Sequence, residues 1–264
     1  MQPALVIPSL ALLALALAAP PAWAINKVPY PAIAVRALPA FKGDPALDAA
    51  RKKIADAVAA KNIASVTALV APDFDWTAGD ARVEEFDAKR GAVHNFKVAF
   101  GFRPVGKDAD GQTDIGPQWE LLDYFATDGV LTQEPGSPLV CGSMTAKPAD
   151  LAALEEALDR VDEENDLSEW VYFIDELTLT ASPTSGAAVA KAKSAAMPIV
   201  SVHPAPPSAP SQSAPPPPTH FELLLPSGKT GWAPIDKVRP LFVDRLCFAK
   251  SGNDWKIALY DQAE

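Results

Sequence analysis

Two cysteines and three histidines are the side chains of this sequence best suited to covalent or metal chemistry, and their placement restricts both. A catalytic thiolate needs a helix start or a cationic neighbour to lower its pKa, and a histidine held on a rigid element as base. Cys141 lies in Val140-Cys141-Gly142-Ser143, which lacks that helix pattern. His203 and His220 border a proline-rich run, where a rigid dyad is not expected, and His94 precedes Cys141 within a helical stretch. There is no His-Glu pairing for zinc and no nucleophile elbow. The reading is a protein that is not an enzyme. Cys141 and Cys247 make an even pair, and two outcomes stay open: a disulfide or two buried thiols. A bridge over so long a loop would contribute about 4–5 kcal/mol by loop-closure entropy.

The carboxylates give no metal site or cofactor either. Asp108-Ala109-Asp110-Gly111 has the look of a calcium loop. With Gly111 at its sixth position, however, Gly106 would take the first ligand place and Pro117 the last, and neither has a coordinating side chain. A turn is the better reading. Glu155, Glu156, Asp159, Asp162 and Glu163 share one face of a helix and read as a solvated surface. The formal net charge of −10 makes nucleic acid and anionic membrane surfaces poor partners, because both are bound through Lys and Arg, and no nucleic-acid partner is expected. What remains for recognition is aromatic. Trp170, Tyr172, Trp232, Trp255 and Tyr260 could line a groove for a peptide, with core packing as the competing reading for each.

The elements that must position these residues follow from the chain's periodicity. Met1 to Ala24 reads as a secretory leader: an unbroken Leu/Ala run from Leu10 to Ala19, Pro20-Pro21, and Ala22-Trp23-Ala24 as the cleavage site. That run is shorter than the roughly 20 apolar residues that cross a bilayer. Export to the periplasm of a Gram-negative cell is expected, with no segment embedded in the membrane. Residues 25–42 read as an extended lead-in. Asp44-Pro45 opens a helix with Leu47, Ala50, Ile54, Ala57 and Val58 on one face. A second short helix carries Ile63, Val66, Leu69 and Val70 and stops at Pro72. Further helices carry Val93, Phe96 and Phe100, then Trp119, Leu122 and Phe125, then, after Pro148, Leu151, Leu154, Leu158 and Val161. Residues 43–166 therefore read as a mostly helical domain of unknown role. From Trp170 onward β-favouring residues dominate, interrupted by the proline-rich insertion 204–218. Leu246 to Lys250 and Trp255 to Tyr260 read as a hairpin about Ser251–Asp254.

Leu177-Thr-Leu-Thr-Ala-Ser-Pro, Pro198-Ile-Val-Ser-Val and Leu223-Leu-Leu-Pro-Ser-Gly-Lys-Thr-Gly-Trp232 together resemble a bacterial SH3-like (SH3b) domain, most specifically over Leu225–Trp232. The proline run falls where a loop between two strands is longer than usual. The chain is also similar to uncharacterised exported envelope proteins with a helical region before such a barrel. The resemblance implies a small β-barrel over residues 167–264, filled by Val200, Leu223 or Leu224, Trp232, Leu246 and Ile257. The fold class expected is α+β: a mostly helical N-terminal domain followed by this barrel. The resemblance further implies a binding or interaction module of the envelope, with peptidoglycan or an envelope protein or peptide as partner. The alternative is a wall-modifying enzyme, or its accessory subunit, using Cys141 or a carboxylate pair. Paired helices, a strand with Asp73 and Trp76, and another helix also vaguely resemble cone-shaped α+β domains of the nuclear-transport-factor-like kind. Too few strands are visible in the sequence to prefer that reading.

Overall fold

The computed structural model describes residues 26–77, 87–102, 116–161, 167–204 and 218–262. The leader Met1–Ala24, the turn at Asp108–Gly111 and residues 205–217 of the proline-rich run lie outside the described residues. In chain order the elements are β1 (Ile33–Ala37), α1 (Pro45–Ala59), α2 (Ile63–Thr67), β2 (Val70–Thr77), α3 (Ala92–Ala99), α4 (Trp119–Thr127), β3 (Leu131–Thr132), β4 (Val140–Gly142), β5 (Ala146–Pro148) and α5 (Leu151–Val161). Then follow β6 (Trp170–Phe173), β7 (Leu177–Ser182), β8 (Ser185–Ala192), β9 (Ala195–Pro204), β10 (Pro218–Leu224), β11 (Thr230–Pro234), β12 (Arg239–Pro240), β13 (Arg245–Ser251) and β14 (Asp254–Asp261).

The helices form where local signals are strongest. Asp44 caps α1 by accepting from the Ala46 amide at 2.9 Å, and Pro45 supplies the pre-set φ of the first helical position. The face buried by α1 is Leu47, Ala50, Ile54, Ala57 and Val58. Asn62 caps α2 through the Ser65 amide. Helix α2 stops at Thr67, so Val70 and Pro72, expected to finish it, instead open β2. Val93 is exposed rather than inward, and α5 begins after Pro148, which belongs to β5.

Strands dominate, and they form two sheets. The first is five-stranded in the order β2-β14-β13-β4-β3, with β2 and β14 parallel and the other pairs antiparallel. Its core includes apolar residues of α1, α3 and α4 together with Phe74, Trp76, Leu246, Phe248, Ile257 and Tyr260. The second sheet is nine-stranded, β12-β6-β9-β10-β11-β7-β8, with β1 joined to β9 and β5 joined to β1. One core of this sheet lies under α5, with Leu154, Leu158, Trp170, Val200 and Leu224. Another gathers Val171, Phe173, Leu179, Ile199, Leu223 and Ala233.

This arrangement overturns the expected fold class. Among the described residues there is no separate helical domain followed by a small barrel over 167–264. The last hairpin, β13–β14, is not an appendage of the β-rich segment, because β14 pairs with β2 and β13 pairs with β4 in the five-stranded sheet. Leu246 and Ile257 therefore fill the helix-covered core and not a barrel. The lead-in is not merely extended: β1 is an integral strand of the nine-stranded sheet. Topologically, β5 to β12 are inserted between β4 and β13 of the first sheet. Strands absent from the first half of the sequence are supplied by its last residues.

Candidate functional site

The structure does not bring the five aromatic candidates together. Trp255 and Tyr260 belong to the five-stranded sheet; Trp170, Tyr172 and Trp232 belong to the nine-stranded one. Four of the five are buried. Trp170 packs edge-on against Tyr30 at 6.0 Å between ring centres, and Tyr30 donates its hydroxyl to the Leu224 carbonyl at 2.6 Å. Burial raises the Tyr30 phenol far above its ordinary pKa. All four residues of β6 are buried, so Trp170-Val171-Tyr172-Phe173 is a strand covered on both faces. An unbroken apolar run is the mark of such a strand, and that signal was available in the sequence.

Tyr260 donates to Asp244 at 2.6 Å and stacks on Phe100 at 4.5 Å. Phe100 continues through Phe96 to Phe74, and Phe125 closes on Tyr260 from the other side. The space between the helices and the five-stranded sheet is thus filled by interlocked rings. That packing gives Tyr260 a core role. Trp255 lies at the edge of the same core, its indole N–H donating to Asp44 at 3.0 Å.

The second sheet offers an open site. A cleft of about 330 Å³ lies between the β6–β7 turn and the 3₁₀ turn Ile235–Lys237. Its lining includes the buried aromatics Tyr172 and Phe173 and the charged residues Asp175, Glu176, Asp236, Lys237 and Arg239. Tyr172 hydrogen-bonds through its hydroxyl to Thr145, which fixes the ring. Arg239 donates from one guanidinium nitrogen to the Asp236 and Val238 carbonyls. The cleft therefore carries both signs of charge on a largely polar lining beside the fixed Tyr172 ring, a combination suited to a small amphoteric ligand. The nearby carboxylate of Glu134 is held below the ordinary carboxylate range, first by Lys147 and then by Arg36. Its two cationic partners make it a cross-tie between β1 and β5 rather than a proton donor.

A second constellation escaped the sequence reading. Strands β9 and β10 continue to Pro204 and Pro218, which are register partners. His203 and His220 therefore do not hang on the proline run; they stand opposite each other on paired strands, ring centres 6.5 Å apart. Trp232, half-exposed, meets His203 edge-on at 6.0 Å. Glu222 is the register partner of both Ser201 and Trp232, and it accepts from the Ser201 hydroxyl at 2.8 Å. The signal was the near-symmetric placement of the two histidines about the insertion, which is what a hairpin stem produces.

Cys141 and Cys247 are register partners on β4 and β13 and lie at disulfide distance. Among the described residues no helix is long and apolar enough to cross a membrane. Comparison with family models, with curated proteins and with solved structures finds no match to this chain, so the SH3-like resemblance rests on its residues alone.

Proposed function

We propose that this is an exported, non-enzymatic binding protein of the cell envelope, acting in the periplasm, whose nine-stranded sheet takes short peptides in the cleft beside Tyr172. The single observation that carries the reading is the presence of both signs of charge on the lining of that cleft: Asp175 and Glu176 after β6, Asp236 and Lys237, which pair with each other at 3.4 Å, on the 3₁₀ turn, and Arg239 on β12, with Glu176 also paired to Lys191 at 3.0 Å. A short peptide that keeps a free amine and a free carboxylate matches both, and the stem peptides of peptidoglycan are of this kind. The disulfide-distance pair favours an oxidising compartment and takes the Cys141 thiol away from catalysis.

The test is co-sedimentation with purified peptidoglycan. The net charge of −10 disfavours nonspecific adsorption to an anionic polymer, so retention reports specific contact. Expected are retention of the wild-type protein and its loss in Asp175→Lys and Arg239→Glu. Retention no greater than that of an acidic control protein overturns wall binding.

A further inference from the structure

We propose that His203 and His220 form a two-histidine site for a transition-metal ion of the Cu²⁺/Zn²⁺ class, on the face of β9 and β10 next to Trp232. The site is separate from the peptide cleft and does not rest on it.

Three observations carry the inference. The first is placement: His203 and His220 are direct register partners on antiparallel strands, so both side chains leave the same face of the sheet. The second is distance. With metal–nitrogen bonds of about 2.0–2.1 Å, two imidazoles on one ion hold their ring centres about 5–6 Å apart. The rings here stand 6.5 Å apart at an interplanar angle of 63°, so a small side-chain rotation closes the gap. The third is orientation. The Thr219 hydroxyl donates its one proton to the His203 carbonyl at 3.3 Å. The same hydroxyl lies 3.1 Å from His220 Nδ1, and in the tautomer with the proton on Nδ1 it accepts there and leaves the lone pair on Nε2. A ligating histidine is oriented in this way by a partner on its other nitrogen.

Among the described residues no group of three or more His, Cys, Asp or Glu converges on one point. The protein therefore supplies two ligands, and water or a small ligand completes the sphere. An incomplete nitrogen set of this kind ranks metals by intrinsic affinity, which favours Cu²⁺. The Glu222 carboxylate lies one row further in on the same face and adds negative charge without ligating.

The experiment is isothermal titration of the tag-free protein with CuCl₂ and ZnCl₂, followed in parallel by tryptophan fluorescence. Expected is one saturable Cu²⁺ site per chain, weakening as the pH is lowered because the ligands must be neutral imidazole. His203→Ala and His220→Ala each lose tenfold or more in affinity, while His94→Ala keeps it. Thr219→Val, which leaves both ligands in place, weakens binding about tenfold. Copper quenches part of the emission, and Trp232→Phe removes that part. Absence of a saturable site in the wild-type protein overturns the proposal. So does affinity retained within twofold when both histidines are replaced.

Discussion

The indole N–H of Trp255 donates to the Asp44 carboxylate at 3.0 Å, joining the last hairpin of the chain to the cap of its first helix. The same carboxylate accepts from Lys250 at 3.0 Å and from the Ala46 amide at 2.9 Å. The Lys250 ammonium first, then the indole and the amide, hold Asp44 down at about 2. In the unfolded chain an aspartate titrates near 3.9. Between these values the unfolded state binds more protons, so stability falls as the pH drops from about 4 to about 2. Asp44→Asn keeps a competent cap and removes the titration. Urea unfolding at a series of pH values should show the wild type losing stability more steeply than the variant below pH 4. Parallel curves would remove Asp44 from the acid response.

A second expectation follows from β14, which sits between β2 and β13. Deleting residues 245–264 removes two strands of the five-stranded sheet, with Leu246, Phe248, Trp255, Ile257 and Tyr260 from its core. The remaining helices would keep an apolar face with nothing to cover it, and amphipathic helices owe most of their stability to such packing. The truncated chain should lose cooperative unfolding of its N-terminal half and bind a hydrophobic dye. A sharp thermal transition in residues 26–161 expressed alone would refute this dependence.

Gly231 shows what a short motif encodes. A Cβ built on it would lie 2.8 Å from Cγ2 of Val189 and 2.9 Å from Cβ of Leu179. The neighbouring side chains from β7 and β8 leave no room there. Gly231→Ala should therefore destabilise by about 1–3 kcal/mol through overpacking. Gly186→Ala, on the open strand β8 with nothing within 4 Å, should stay within about 0.5 kcal/mol of wild type. Thermal melts of the two variants make the comparison. Equal effects would mean that crowding at Gly231 does not matter.

Legibility in the sequence followed the range of the interactions. Helix α1 was readable to its cap and its buried face, because helix period and capping are properties of neighbouring residues. The turn Pro226–Lys229 was readable for the same reason; Gly228 has φ +79° there and closely approaches the backbone of Val28 and Pro29. Of the five-stranded sheet, the hairpin β13–β14 and the strand through Asp73 and Trp76 were readable, but their assembly into one sheet with β3 and β4 was not. Strands β3 and β4 are two and three residues long, too short to show a period. The parallel pair β2–β14 joins residues such as Val70 and Ile257, whose separation carries no local trace. The site divided in the same way. Tyr172 was named but is fixed at the cleft's floor. Asp175, Lys237 and Arg239 were missed, because only tertiary packing brings the two turns together.

The remaining prediction concerns Cys141 and Cys247, which lie 106 residues apart in sequence yet oppose each other in register. All of the inserted strands β5 to β12 fall within that interval. A bridge here removes the freedom of a very long loop from the unfolded chain, and by the entropic account that is worth about 4–5 kcal/mol. Its effect should appear at the five-stranded sheet, since both cysteines are strand residues there and Cys247 is fully buried. Two alkylatable thiols in the non-reduced protein would dispose of the bridge. Given the bridge, Cys141→Ala with Cys247→Ala should lower unfolding stability by about 2–5 kcal/mol, and reductant should do the same to the wild type but nothing to the double variant. A variant as stable as the oxidised parent would place the stability of β4 and β13 in their apolar neighbours Val140, Leu246 and Phe248 alone.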